Sequence, residues 1–93
     1  MEAKIWSHTD WLSLNQTTEL QLKTYYDKLL ANSGFTILNF VDHYFLPHGY
    51  TALWLLGESH FAIHTFPEHN NYYLELSSCI EDKYDSFKKL LDL

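Results

Sequence analysis

Ninety-three residues, 46% of them apolar and 17% aromatic, suffice for one domain with a modest core. Six lysines, no arginine and twelve acidic residues leave a formal charge of -6. That balance excludes nucleic acid as a partner, since phosphate neutralisation needs clustered cations, and favours a cationic small molecule.

One cysteine, Cys79, excludes an internal disulfide. No apolar run approaches the ~20 residues of a membrane span. The opening Met1-Glu2-Ala3-Lys4-Ile5-Trp6 lacks the long apolar region of a signal peptide. The expectation is a single domain over residues 1–93, cytoplasmic, with its thiol reduced.

Residues from about Lys4 to Leu12 mix polar and aromatic side chains and read as a first strand. From Thr17 to Asn32 the pattern turns helical, with Leu22, Tyr26, Leu29 and Leu30 on one face. Asn15 or Thr17 is a candidate cap, and Ser33-Gly34 ends the helix. Phe35 to Phe45 is β-branched and aromatic, hence a strand, and Pro47-His48-Gly49 marks a turn. Tyr50–Leu56 and His60–Phe66 are strand-like, the second stopped by Pro67. A polar connection, Glu68 to Asn71, leads to a strand over Tyr72–Ser78. Tyr84, Phe87, Leu90 and Leu91 mark a short helix from about Asp82 to Leu91. This order predicts an α+β two-layer sandwich: a mainly antiparallel sheet with helices on one face. Ala52-Leu53-Trp54-Leu55-Leu56 is apolar on both faces of its strand, where a half-solvated sheet should alternate. Two short helices cover only one face, so a second protomer is expected on the other, giving a homodimer.

Most of the chemistry-bearing residues fall between Gly57 and Glu68. His60, His64 and His69 suggest a metal, but four residues of strand span roughly 13 Å, too far for one ion with ~2 Å ligand bonds. No metal is expected. Gly57-Glu58-Ser59-His60-Phe61 has the first glycine of a nucleophile elbow but not the second, and the chain is too short for that hydrolase fold. A third possibility turns Ser59 on its own backbone. Its hydroxyl can attack the Glu58 carbonyl and convert the amide to an ester. Loss of the Ser59 α-proton then expels the Glu58 carboxylate and leaves dehydroalanine, which hydrolyses to pyruvoyl. This needs a base near the α-carbon and a donor for the oxyanion.

Glu58-Ser59-His60 followed by Ile63-His64-Thr65-Phe66-Pro67-Glu68 resembles the processing segment of the prokaryotic S-adenosylmethionine decarboxylases, E-S-H-x-x-I-H-T-W-P-E. Upstream, Phe45-Leu46-Pro47-His48-Gly49-Tyr50-Thr51 resembles the family's F-L-P-x-G-x-S. Downstream, Leu76-Ser77-Ser78-Cys79 stands where the family has a strand ending in T-C-G.

The resemblance implies self-cleavage between Glu58 and Ser59, with Ser59 becoming a pyruvoyl cofactor that forms a Schiff base with the substrate amine. It implies that His64 and the Thr51 hydroxyl assist processing and that Cys79 protonates the product carbon. It further implies that Phe45 and Phe66 stack the adenine of S-adenosylmethionine, that Glu68 binds the ribose hydroxyls, and that Phe61 lies beside the same pocket. The implied activity is a pyruvoyl-dependent decarboxylase supplying polyamine (spermidine) synthesis. Ile80 after Cys79, Thr51 for Ser, Phe66 for Trp, and an end at Leu93 where relatives continue into a further strand are departures. They leave two alternatives: an ornithine or arginine decarboxylase, or a non-enzymatic interaction protein.

Overall fold

The computed structural model describes residues 3–92, so expectations touching Met1, Glu2 and Leu93 lie outside the described residues. The elements are β1 (Trp6–Ser13), α1 (Glu19–Asn32), β2 (Ile37–Tyr44), β3 (Tyr50–Leu56), β4 (Ser59–Phe66), a 3-10 turn (Pro67–His69), β5 (Asn71–Ser78) and α2 (Glu81–Leu91). The strands form one sheet in the order β1-β5-β4-β3-β2, with every neighbouring pair antiparallel. The expected α+β architecture, with both helices against one face, is what the chain adopts.

Local chemistry sets most boundaries. The α1 cap is neither Asn15 nor Thr17 but Thr18. Its Oγ1 accepts the Gln21 N–H at 3.1 Å while Gln21 Oε1 accepts the Thr18 N–H at 2.8 Å, a reciprocal box that satisfies two helix-start donors. Asn15 and Gln16 instead carry the chain through the preceding turn with positive φ. Ser33 caps the other end, and Gly34 takes φ +96 to leave the helix. β1 begins at Trp6 rather than Lys4, and its partner is the last strand, β5.

Alternation then sorts the side chains. Tyr50, Ala52, Trp54 and Leu56 on β3, Phe61 and Ile63 on β4, and Tyr72, Leu74 and Leu76 on β5 are buried beneath the helices. They meet Leu22, Tyr26, Leu29 and Leu30 of α1 and Phe87 of α2. Phe61 sits at the centre, with ring centroids 5.0 Å from Tyr26, 5.3 Å from Trp54 and 5.4 Å from Phe87. The opposite face of the sheet leaves Val41, Leu53 and Leu55 exposed at 60%, 45% and 53%. The two-sided apolar character of β3 is therefore real, but the described residues cover only one side. Trp54 is on the covered side, where its indole N–H donates to Asp27 Oδ1 at 2.7 Å. A charge at Trp54 would strike the core; Leu53 and Leu55 are the positions that face outward.

Candidate active site

The β3–β4 hairpin closes through Gly57 and Glu58, with Leu56 paired to Ser59 across the turn. A two-residue turn often sets its second residue at positive φ, a conformation glycine adopts at least cost. Here Glu58 takes it, at φ +59. For a residue with a Cβ this costs roughly 1–2 kcal/mol, so the peptide between Glu58 and Ser59 is held in a strained turn. Two backbone bonds pin the turn to neighbouring elements. The Gly57 N–H donates to Thr36 O at 3.0 Å, and the Cys79 N–H donates to Glu58 O at 3.1 Å. The second bond places a fixed donor on the carbonyl that a Ser59 attack would turn into an oxyanion. The Ser59 hydroxyl donates to Ser78 Oγ at 2.9 Å. Cys79, next along, has an exposed free thiol. Glu58, Ser59 and Cys79 are thus brought together, and Ser78 joins them.

At the far end of the same two strands, Thr51 pairs with His64, and Thr51 Oγ1 lies 2.9 Å from His64 Nδ1. The His64 ring stacks on Tyr73 at 6.3 Å. These two residues share a cleft of about 310 Å³ with Phe45, Phe66, Glu68 and His48. Gly49, at φ +113, turns the chain beside Phe45, whose Cβ is 3.6 Å from where a glycine side chain would begin. Phe45 is half exposed, and Phe66 lies against Trp11 with centroids 5.5 Å apart. Glu68 Oε2 meets His48 Nε2 at 2.9 Å. A hydrogen bond from its own backbone N–H, followed by the charge of His48, holds the Glu68 carboxyl below its usual range. It is a carboxylate at neutral pH, able to accept bonds from a diol.

Of the residues singled out from the sequence, Phe45, Thr51, His64, Phe66 and Glu68 therefore line one cleft, and Glu58, Ser59 and Cys79 form the turn cluster. The two groups are separate. Positions 59 and 64 on an extended strand are roughly 16 Å apart. They also alternate in direction: Ser59 shares the parity of buried Phe61, and His64 shares that of Phe66 on the open face. One chain does not bring His64 to Ser59. The remaining residue, Phe61, is fully buried among Tyr26, Trp54 and Phe87, on the other face of the sheet from the cleft. It belongs to the core rather than to the pocket side. Phe61→Ala should accordingly cost about 3–5 kcal/mol of folding stability, the usual penalty for emptying a buried aromatic site. Urea denaturation checks this; a loss below about 1 kcal/mol would contradict the core assignment.

Four contributors escape sequence reasoning. His48 reads there only as a turn residue, although its imidazole meets Glu68. Trp11 and Tyr73 pack as a tilted pair, centroids 5.2 Å apart, on the open face beside Phe66 and His64. Ser78 carries no signal beyond its place beside Cys79.

Comparison with known proteins matches residues 13–92 to the family model described as S-adenosylmethionine decarboxylase. A relative named S-adenosylmethionine decarboxylase proenzyme from Prochlorococcus marinus (strain MIT 9313) is 39% identical over 61 residues, 66% of this chain and 49% of the relative. One of the same name from Thermotoga maritima is 42% identical over 50 residues, covering 54% and 38%. An S-adenosylmethionine decarboxylase proenzyme 2 from Bacillus anthracis is 47% identical over 47 residues, covering 50% and 38%. The chain spans about half the length or less of these curated relatives. Among solved structures, the adenosylmethionine decarboxylase from Aquifex aeolicus VF5 shares the fold with a TM-score of 0.61 at 23% identity, over 78% of this chain and 64% of that one.

Proposed function

This chain belongs to the S-adenosylmethionine decarboxylase family, and from that membership we propose that it cuts itself between Glu58 and Ser59 and acts as a pyruvoyl-dependent S-adenosylmethionine decarboxylase. The observation that carries this reading is the Cys79 N–H on the Glu58 carbonyl, 3.1 Å away, beside an anchored Ser59 hydroxyl. Acyl shift at a peptide needs a nucleophile next to the carbonyl and a donor already aimed at the oxygen where charge develops. Both are present at one strained turn.

The residues fit a pyruvoyl group made from Ser59. When formed, it supplies an electron sink for loss of CO2 from an amine-bearing carbon. The rest of the work falls to the chain. Phe45 and Phe66 offer aromatic faces to adenine, and Glu68 offers a carboxylate to the ribose hydroxyls. The net charge of -6 favours a sulfonium cation. The exposed Cys79 thiol is the proton source for the product carbon. His64, oriented by Thr51, is the acid or base of processing.

The ~16 Å between Ser59 and His64 gives the assembly a chemical purpose. A homodimer with its open sheet faces together and its two-fold axis perpendicular to the strands carries the cleft end of one protomer toward the turn end of its partner, where Glu58 and Cys79 are exposed. Val41, Leu53 and Leu55 supply the apolar surface for that contact. We place the protein in the cytoplasm and its product in polyamine synthesis.

The test is an intact-mass measurement of the purified full chain, followed by assay with S-adenosylmethionine, ornithine and arginine. The reading expects two fragments, the second with a blocked N-terminus, and the highest turnover with S-adenosylmethionine. A single uncut species rules out the enzyme, and faster turnover of ornithine or arginine rules out the substrate.

Phe66 allows a finer test. Stacking of a base on an aromatic ring is worth roughly 1–3 kcal/mol, so Phe66→Ala should raise KM for S-adenosylmethionine by about 5- to 150-fold where binding equilibrates before chemistry. Self-cleavage involves no adenine and should stay near the wild-type rate. An unchanged KM would remove Phe66 from the adenine site.

A further inference from the structure

We propose that Ser78 is the positioning residue for the self-cleavage nucleophile: its buried hydroxyl accepts the Ser59 hydroxyl proton in a hydrogen bond and fixes the Ser59 Oγ for attack. The inference rests on the self-cleavage reading above and adds to it a residue that the mechanism otherwise lacks. Ser59 and Ser78 are direct partners across the β4–β5 ladder. Ser78 is only 1% exposed, whereas Ser59 is half-buried at a turn. The direction of the bond between them is set by the rest of the Ser78 environment. The Ser78 hydroxyl donates its single proton to Ile80 O at 3.2 Å and accepts the Ile80 N–H at 3.0 Å. A hydroxyl has one donor and two lone pairs. With its proton committed to Ile80, Ser78 has one lone pair left, and the Ser59 hydroxyl donates to it at 2.9 Å.

A serine hydroxyl at a turn ordinarily samples several rotamers, and only some direct Oγ toward the preceding carbonyl. Ser78 restricts that choice from a site that cannot itself move, because β5 and the Ile80 bonds hold it. The adjacent residue completes the device: the Cys79 N–H holds the Glu58 carbonyl. Successive residues at the end of β5 thus hold the nucleophile and the electrophile of one step. In that step the Ser59 Oγ–C(Glu58) bond forms and the Glu58–Ser59 C–N bond breaks. The proton leaves Oγ and the Ser59 nitrogen gains one, giving an ester and a free amine with no oxidant or co-reactant needed. Ser78 does not become the base, because its lone pair belongs to a neutral alcohol. Its contribution is orientation, and misplacement of a reacting atom by about an ångström can cost on the order of a hundredfold.

The experiment follows cutting of the full chain after a labelled pulse of cell-free synthesis, with thermal midpoints measured on purified protein. Ser78→Ala should fold and be cut about 10- to 100-fold more slowly. Ser78→Thr, which keeps the hydroxyl, should stay within about threefold of wild type. A third arm repeats Ser78→Ala in a Ser59→Cys background. A thiol is a weak donor, so the slowing there should shrink to a few-fold. Wild-type cutting in Ser78→Ala overturns the proposal. So does equal slowing in the Ala and Thr variants, or the same factor with serine and with the thiol as nucleophile, each of which marks Ser78 as a packing residue. A wild-type chain that is never cut defeats the self-cleavage reading and this inference with it, and is distinguished by the wild-type lane alone.

Discussion

Ser59→Ala should yield one uncut chain of 11.0 kDa and no decarboxylated product. The hydroxyl is the group at the turn that can form the ester, and alanine has no nucleophile to take its place. The effect is all or none, since hydrolysis of an ordinary peptide bond at neutral pH is negligible on the time scale of expression. The variant should still fold. Ser59 is half-buried at a hairpin end, and the bond it loses, to Ser78 Oγ, is worth about 1 kcal/mol. Intact mass gives the cut fraction and near-ultraviolet circular dichroism reports the packing of the aromatic core. Normal fragments from folded Ser59→Ala would end the self-cleavage reading.

Mixing two defective chains should restore cutting that neither performs alone. With His64 as the proposed acid or base of processing, His64→Ala should slow cutting by about 10²- to 10⁴-fold. Ser59→Ala removes the nucleophile. If the cleft end of one protomer serves the turn end of the other, a mixed dimer holds one intact site: Ser59 from the first chain and His64 from the second. Random pairing at equal amounts places roughly half of the His64→Ala chains in such dimers. That half should be cut after co-expression, and Ser59→Ala chains should stay whole. Chains carrying distinct tags make the fragments assignable. No cutting in the mixture, with dimers demonstrated by light scattering, would mean that processing needs no partner histidine. Leu53→Asp, on the exposed face, should abolish dimer and complementation together. Trp54→Asp should instead unfold the chain, because Trp54 is 1% exposed under the helices.

The sequence alone determined the elements. Leu22, Tyr26, Leu29 and Leu30 at helical spacing, and the Tyr50–Leu56 run, are legible because periods of 3.6 and 2 are carried by neighbours along the chain. The same holds for the Thr51, Ser59, His64 and Glu68 pattern, whose spacing carries the family resemblance. Even the separation of Ser59 from His64 is latent there: five steps of extended strand reverse direction and span roughly 16 Å. What remained for the tertiary structure depended on which segments meet. Whether Leu53 or Trp54 faces the helices followed from where α1 and α2 land, and that placed Phe61 in the core instead of the pocket. Pairing of β5 with both β1 and β4 put Trp11 beside Tyr73 and Phe66, and put Ser78 beside Ser59. The Cys79 N–H reached the Glu58 carbonyl only because the end of β5 passes the β3–β4 turn. Such contacts join residues far apart in the chain, and no local period records them; they come from burying one face of a twisted sheet while pairing its backbone groups across strands.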